Sequence, residues 1–296
     1  MQQLLFLLIK LLAYLPLSLI QSIGVIFGQL FHLLKPAVQK TLRENLINAL
    51  TYQKNTRHPC NKQISQSIKL NIAESGKTIL ESLAIWVSSE QRVLKWVVKV
   101  NGQKILDEAI ANKKGIIFIT PHLGAYEITS IYYGSKHPIT ILYRRPRKKW
   151  LQDLIVSGRS KGLIKLAEPN ATGVKKLYQA LKNGEAIGIL PDQIASKGQG
   201  EWANFFGRPA YTMVLLSKLA VKTQANVILA VGERLKNGKG FIIHLEKLET
   251  EDIATSQQLN HVIEKKILKW PLQYIWNYDR FKPQAHVTVQ EEDCSQ

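Results

Sequence analysis

Cysteine is nearly absent from this chain of 296 residues: only Cys60 and Cys294 occur, far apart. That excludes a disulfide framework and a multi-cysteine zinc site, and it fits a reducing compartment. Acidic residues are also scarce, with 22 Asp and Glu against 40 Lys and Arg and a formal net charge of +18. Such an excess implies an acidic partner: nucleic acid, anionic lipid, a phosphorylated substrate or an acidic carrier protein. No Walker-type loop and no G-x-G-x-x-G after a strand is present, so nucleotide binding has no support. The His-Glu-x-x-His pattern of helical zinc sites is missing too, and neither a metal nor another cofactor is expected. Internal repeats and low-complexity segments are lacking. What remains is globular in composition, 45% hydrophobic and 21% charged, and long enough to bury a real core.

The first residues depart from that average. Between Leu4 and Leu34 the only full charge is Lys10, and Leu, Ile, Val and Phe dominate. Residues 11–34 alone exceed the roughly 20 needed to cross a hydrocarbon core of about 30 Å. A basic start and a small-x-small cleavage site, the marks of a signal peptide, are not evident. The expectation is a membrane anchor over residues 1–34, spanning the bilayer or lying in its interface. Pro16, Ser18, Gln21, Ser22 and Gln29 interrupt the run, which leaves a buried helical hairpin as the alternative. Lys35, Lys40 and Arg43 follow the segment, so the positive-inside rule assigns the bulk of the chain to the cytoplasmic side.

Residues 35–296 then read as one catalytic unit. Leucines one turn apart at 42, 46 and 50 predict helix across 36–95, with a connection from Asn55 to Asn61 around Pro59. From Trp96 to about Val289 short β-branched runs alternate with helical ones. Strands are expected at 96–100, 115–120, 139–143, 186–190, 226–232 and 240–245. Helices are expected at 103–112, 125–133, 149–157, 173–183, 212–223 and 255–269. Alternation of this kind predicts an α/β fold, a mostly parallel sheet flanked by helices, with a short polar tail after Val289.

Within that pattern the stretch Gly115–Thr120 followed by Pro121-His122-Leu-Gly-Ala-Tyr-Glu127 is the most informative. A strand ends, a histidine follows, and a carboxylate opens the next helix. Open α/β sheets put their chemistry at that edge. An imidazole held there by an acid is suited to take a proton from a hydroxyl group. On one continuous helix, positions five apart diverge by about 140°, so the pair works only if His122 precedes the helix. The same spacing equally describes a loop histidine beside an acid in a first helical turn.

Other candidates are weaker. Gly158-Arg-Ser-Lys-Gly162 matches the G-x-S-x-G hydrolase pattern, with Asp192 and His244 downstream for a triad. An elbow of that type needs a strand immediately before Ser160, whereas 151–156 reads as helix. A cation-rich turn at a helix end is the better reading. Arg144, Arg145, Arg147, Lys148, Lys149, Arg159, Lys161 and Lys165 form a basic run opposed only by Asp153. Singly these are solvated charges; together, after a strand end, they suggest an anion-binding rim, with arginine suited to bidentate contacts. Asp192 also ends a strand, as a site residue or a turn former. Phe205-Phe-Gly-Arg208-Pro209 reads as a lip for an acyl chain or as a buried loop.

Taken in order, these segments resemble the lipid A late acyltransferases, within the wider glycerolipid and lysophospholipid acyltransferase group. The likeness runs from the apolar N-terminus through the H-x-x-x-x-E box at His122 and Glu127 and Tyr143-Arg-Arg-Pro-Arg147. It continues through Gly158-Arg159, Ile189-Leu-Pro-Asp-Gln193 and Phe205-Phe-Gly207 to Gln273-Tyr-Ile-Trp276 and Arg280-Phe-Lys282. The box alone is unspecific; the ordered set is not. The segment after Asp192 is short and lacks acids that some relatives carry, and the residues inside the box differ from those of many relatives.

The resemblance implies fatty acyl transfer from acyl carrier protein, or acyl-CoA, to a hydroxyl of a phosphorylated lipid A precursor. It implies a site on the cytoplasmic face of the inner membrane, with no nucleic acid partner. His122 would be the base and Glu127 its partner, with Arg159, Asp192, Arg144 and Arg208 as substrate-binding residues. Rival readings are an acyltransferase for another membrane lipid, a serine hydrolase using Ser160, and a basic membrane- or nucleic-acid-binding protein.

Overall fold

A computed structural model describes residues 2–53, 61–146 and 148–282, with side chains from Phe6 onward except that of Gln53. The expected connection at 55–61 falls almost wholly outside these residues, as do both cysteines, Arg147 and the polar tail. Four long helices lead: α1 (Gln2–Leu11), α2 (Leu17–Leu34), α3 (Pro36–Gln53) and α4 (Asn61–Val87). A short α5 (Glu90–Leu94) precedes the alternating region. There follow β1 (Val97–Asn101), α6 (Gln103–Ala111), β2 (Ile116–Ile119), α7 (Glu127–Gly134), β3 (Ile139–Leu142) and α8 (Lys149–Arg159). Next come β4 (Ile164–Ala167), α9 (Ala171–Lys182), β5 (Ala186–Ile189), β6 (Gly200–Phe205), β7 (Arg208–Met213) and α10 (Leu215–Thr223). β8 (Asn226–Arg234), β9 (Phe241–Leu248) and α11 (Ser256–Ile267) complete the fold.

Seven strands form one sheet in the order β1-β9-β8-β2-β5-β3-β4. Every pairing is parallel except that of β8 with β9. The expected α/β architecture, a mostly parallel sheet flanked by helices, is therefore what forms. β2 and β5 are buried at every residue, as strands covered on both faces must be. Their side chains alternate between two cores. Ile117, Ile119, Ile187 and Ile189 pack with Leu42, Leu46 and residues of α9 to α11, while Ile116, Phe118 and Ala186 pack with Leu80, Ala84 and Ile85 of α4 and with α7.

Three strands were not anticipated. β4 is only four residues long and follows directly on a turn. β6 and β7 form an antiparallel hairpin, so the helix expected at 212–223 begins three residues later, after a strand. Phe206 and Gly207 make the two-residue turn, both at positive φ, the geometry that matches the twist of a hairpin. Phe205 and Phe206 are buried against Trp276 and Phe281, which selects the buried reading of that segment.

α2 lies against α4. A Cβ added to Gly76 would come 2.0 Å from the Gly24 carbonyl oxygen, and one on Gly28 would come 2.5 Å from that of Ile72. Only glycine permits two helix backbones to approach so closely. The contact is fixed by a polar network. Arg234, at the end of β8, is held by both oxygens of Glu81 and donates to Glu74 at 2.7 Å and to Thr78 at 2.8 Å. Gln21 of α2 donates to Glu81 at 2.9 Å and accepts from the Gly238 amide at 3.0 Å.

Candidate active site

β2 and β5 run parallel in register from Ile116–Ala186 to Ile119–Ile189. The two chains leave the sheet side by side, so His122 and Asp192, equally far beyond the Ile119–Ile189 pair, arrive together. Asp192 grips the histidine twice. Its Oδ1 lies 2.8 Å from Nδ1 of the ring, and its Oδ2 accepts from the His122 backbone N–H at 2.8 Å. The carboxylate is 1% exposed and the imidazole 15%. Burial alone would raise the Asp192 pKa; the facing imidazole and its hydrogen bonds outweigh that and hold the carboxyl below its ordinary value. An ionised carboxylate only accepts, so Nδ1 carries the proton and the neutral ring presents its lone pair at Nε2. That atom lies 3.2 Å from the side-chain nitrogen of Gln193.

The loop carrying His122 is tied at almost every peptide. Its carbonyl accepts from Ile275 at 3.2 Å, Gly124 N–H donates to Gln273 at 3.0 Å, and Ala125 N–H donates to Gly232 at 2.8 Å. Gly124 has φ +63°, and a Cβ there would sit 2.1 Å from the Gly232 oxygen. Conformation and space both demand glycine at that position. The backbone amides of Leu123, Gly124 and Ala125 are all engaged within the fold.

Glu127 is the first residue of α7, in the first helical turn as expected, but it does not touch His122. Nε of Arg159 donates to both of its oxygens, at 3.1 and 2.9 Å, and Nη2 donates to Oε1. The expected His122–Glu127 pair is thus replaced by two others, His122–Asp192 and Glu127–Arg159. The cause is positional. Glu127 is turned into the body, 4% exposed, where an unpaired carboxylate is costly and the partly buried Arg159 neutralises it. His122 stands at the rim, where the strand next to its own delivers an acid. Arg159 is raised above its ordinary pKa: burial opposes its charge, and Glu127 more than compensates.

A cavity of about 310 Å³ opens beside the His122 ring, walled by His122, Tyr126, Arg144, Arg159, Gln193 and Met213 among others. That volume is at the lower end for a ligand pocket. A smaller cavity of about 30 Å³ shares Tyr126, Arg159 and Leu190 with it and is otherwise lined largely by the sheet and α7. Arg144 lies at the lip, donating to Ser196 at 3.1 Å. Arg208 does not line the cavity: its guanidinium sits 4.0 Å over the Phe281 ring and reaches Asn45 at 3.5 Å. The basic run is likewise divided. Arg145 pairs with Glu168, Lys165 with Glu185, and Lys161 is partly buried, donating to the Ile85 carbonyl. Burial holds Lys161 at a pKa of about 8, against the upward pull of Glu127 and Glu90.

Ser160 terminates α8 and is not a strand-to-helix elbow. The triad partners considered for it are occupied, Asp192 by His122 and His244 by Glu233 at 2.8 Å and Asn101 at 3.2 Å. Among the described residues no cluster of His, Cys, Asp and Glu could hold a metal ion. Sequence reasoning missed Tyr126 and Trp86. The Tyr126 ring lies 4.8 Å from that of His122, and burial with Glu127 nearby raises its phenol to about 12. Trp86 lies 5.7 Å from the Arg159 guanidinium. Tyr126 sits inside the box motif and was legible there; Trp86, far away on α4, gave no signal.

Comparison with known proteins is consistent across the chain. Residues 2–283 match the model of the bacterial lipid A biosynthesis acyltransferase family. A lipid A biosynthesis palmitoleoyltransferase of Escherichia coli (strain K12) is 27% identical over 222 residues, 72% of this chain and 70% of its own. A lipid A biosynthesis acyltransferase of Haemophilus influenzae is 27% identical over 280 residues, 90% of this chain and 86% of its own. The E. coli lauroyltransferase is 25% identical over 221 residues, covering 72% of this chain and 70% of its own.

Proposed function

The chain belongs to the bacterial lipid A biosynthesis acyltransferase family, and from that premise we propose how it carries out acyl transfer in lipid A synthesis. The donor is a fatty acyl thioester on acyl carrier protein, and the acceptor is a hydroxyl of a phosphorylated lipid A precursor. His122 Nε2 takes the hydroxyl proton, the alkoxide attacks the thioester carbonyl directly, and the imidazolium returns its proton to the departing thiolate. Asp192 keeps the proton on Nδ1 and steadies the imidazolium. The Glu127–Arg159 pair shapes the wall beside the ring. General-base action accounts for roughly 10²–10⁴-fold of the acceleration. Positioning and charge stabilisation supply the remainder.

One observation carries this reading: a histidine that lines a cavity, its Nδ1 held by a buried carboxylate that fixes the tautomer. Arg144 at the lip, with Lys148 and Lys149 close behind it in the chain, suits the phosphates of the acceptor and an acidic carrier. The first two helices bring the site to the inner membrane, at its cytoplasmic face. α2 is the one described helix long and apolar enough to cross a bilayer, yet its 18 residues span only about 27 Å at 1.5 Å per residue. Its inner face is bound to α4. Leu19, Ile23, Ile26, Phe27 and Leu30 face outward, as they would on a helix lying in the interface.

The test is to incubate the purified full-length protein with lauroyl-acyl carrier protein and a tetra-acylated lipid A precursor and to weigh the product. The expected result is a gain of one acyl group, lost in His122→Ala with membrane association intact. Near-normal turnover by His122→Ala would refute the base assignment.

A further inference from the structure

Asp192 and Gln193 are adjacent, and their side chains hold opposite nitrogens of one ring. Asp192 fixes the proton on Nδ1, so the neutral imidazole has one lone pair, at Nε2. The amide nitrogen 3.2 Å away at Gln193 donates to that lone pair, and this is the only hydrogen bond of the Gln193 side chain among the described residues. A base with one lone pair cannot serve two donors. When the acceptor hydroxyl arrives within hydrogen-bond reach of Nε2, the amide must leave it.

The displaced amide has little distance to go before it meets the reacting carbonyl. The attacking oxygen takes its place on Nε2, and the thioester carbon lies one bond beyond that oxygen. Competing donors are few. The Leu123, Gly124 and Ala125 amides are engaged within the fold, and the Ile194 amide donates to the Tyr278 hydroxyl at 3.1 Å. Arg159 directs Nε and Nη2 at Glu127.

We propose that Gln193 is a catalytic residue whose side-chain amide transfers from His122 Nε2 in the resting enzyme to the thioester oxyanion in the transition state. This deepens the acyltransferase reading and rests on it. As the acceptor O–H gives its proton to Nε2, its oxygen bonds to the carbonyl carbon, and the C=O electron pair moves onto oxygen. Gln193 N–H donates to that oxyanion. Collapse re-forms C=O, expels the thiolate and returns the proton from Nε2 to sulfur, leaving ester, thiol and the neutral ring. The amide then regains the lone pair.

The experiment compares full-length wild type with Gln193→Met, of equal length and without a donor, and with Gln193→Glu. Lauroyl-acyl carrier protein and the tetra-acylated precursor serve as probes. The expected result is a fall in kcat of roughly 10²–10³-fold in Gln193→Met, the usual cost of losing one oxyanion donor, with both KM values changed by less than about threefold. Gln193→Glu, which places an acceptor there, should fall at least as far. The ¹⁵N resonance of His122 Nε2 in the unliganded protein should shift in Gln193→Met, reporting the lost resting contact. A Met variant with unchanged or raised kcat, a loss confined to KM, or an unmoved resonance would each overturn the assignment while leaving the acyltransferase reading intact. Absence of any transfer by wild type would instead remove the reading beneath it.

Discussion

Among the described residues His122 has a single carboxylate partner, Asp192, and that partner is supplied by strand order. Replacing Asp192 with Asn keeps its shape but no longer selects the Nδ1–H tautomer. The expected loss in kcat reaches roughly 10⁴-fold, by analogy with the same change in a Ser-His-Asp triad. Thermal melting gives a second readout. The folded state holds the Asp192 carboxyl below its ordinary 3.8. Its contribution to stability is therefore complete above that pH and is lost as the pH falls through the folded value. Asp192→Asn should flatten this acid limb in a pH series of melts. At the neighbouring pair, Arg159→Ala leaves Glu127 buried and uncompensated, a cost of about 3–5 kcal/mol in denaturant unfolding. The sequence exposed His122, Glu127, Arg159 and Asp192 as candidates but not their pairing. Glu127 lies five residues from His122 in the chain and Asp192 seventy, and the contact between His122 and Asp192 exists only because β2 and β5 are neighbours.

Among the elements, β2 and β5 were legible because unbroken apolar runs ending in polar turns have one economical interpretation, a strand covered on both faces. The β6–β7 hairpin was not, because its strands carry a mixed burial pattern and its turn is the pair Phe206-Gly207, not an Asn-Gly signature. The α2–α4 contact was hidden for a different reason: glycines within an apolar run look like weak points of a span, whereas here they are where two backbones meet. Gly76→Leu places a side chain where 2.0 Å separates an added Cβ from the Gly24 carbonyl. It should destabilise the protein by about 3 kcal/mol or more, measured by chemical denaturation, and free α2 to protease attack. Unchanged stability would mean that α2 is not seated on α4.

For the molecule as a whole, an exposed apolar strip along the first two helices and a cationic lip over a small cavity support the proposal of an enzyme that works at an anionic lipid surface. Withdrawing Ile23, Ile26 and Phe27 from lipid by changing all three to Ser removes about 1.5–3 kcal/mol for each side chain. Vesicle flotation should show binding weakened by roughly 10²-fold or more, with the His122 site unaffected in a detergent assay. An equal loss of activity in detergent would argue that the outward face supports the fold and not membrane binding.

The most direct measurement concerns His122 and Asp192 together: the rate constant for acyl transfer in His122→Ala, Asp192→Asn and the double variant. A base and the carboxylate that orients it act as a unit, so once the ring is gone the Asp192 change should cost nothing further. The double variant should then match His122→Ala. Losses that multiply in the double variant would show the two residues acting independently and would contradict the histidine–aspartate base.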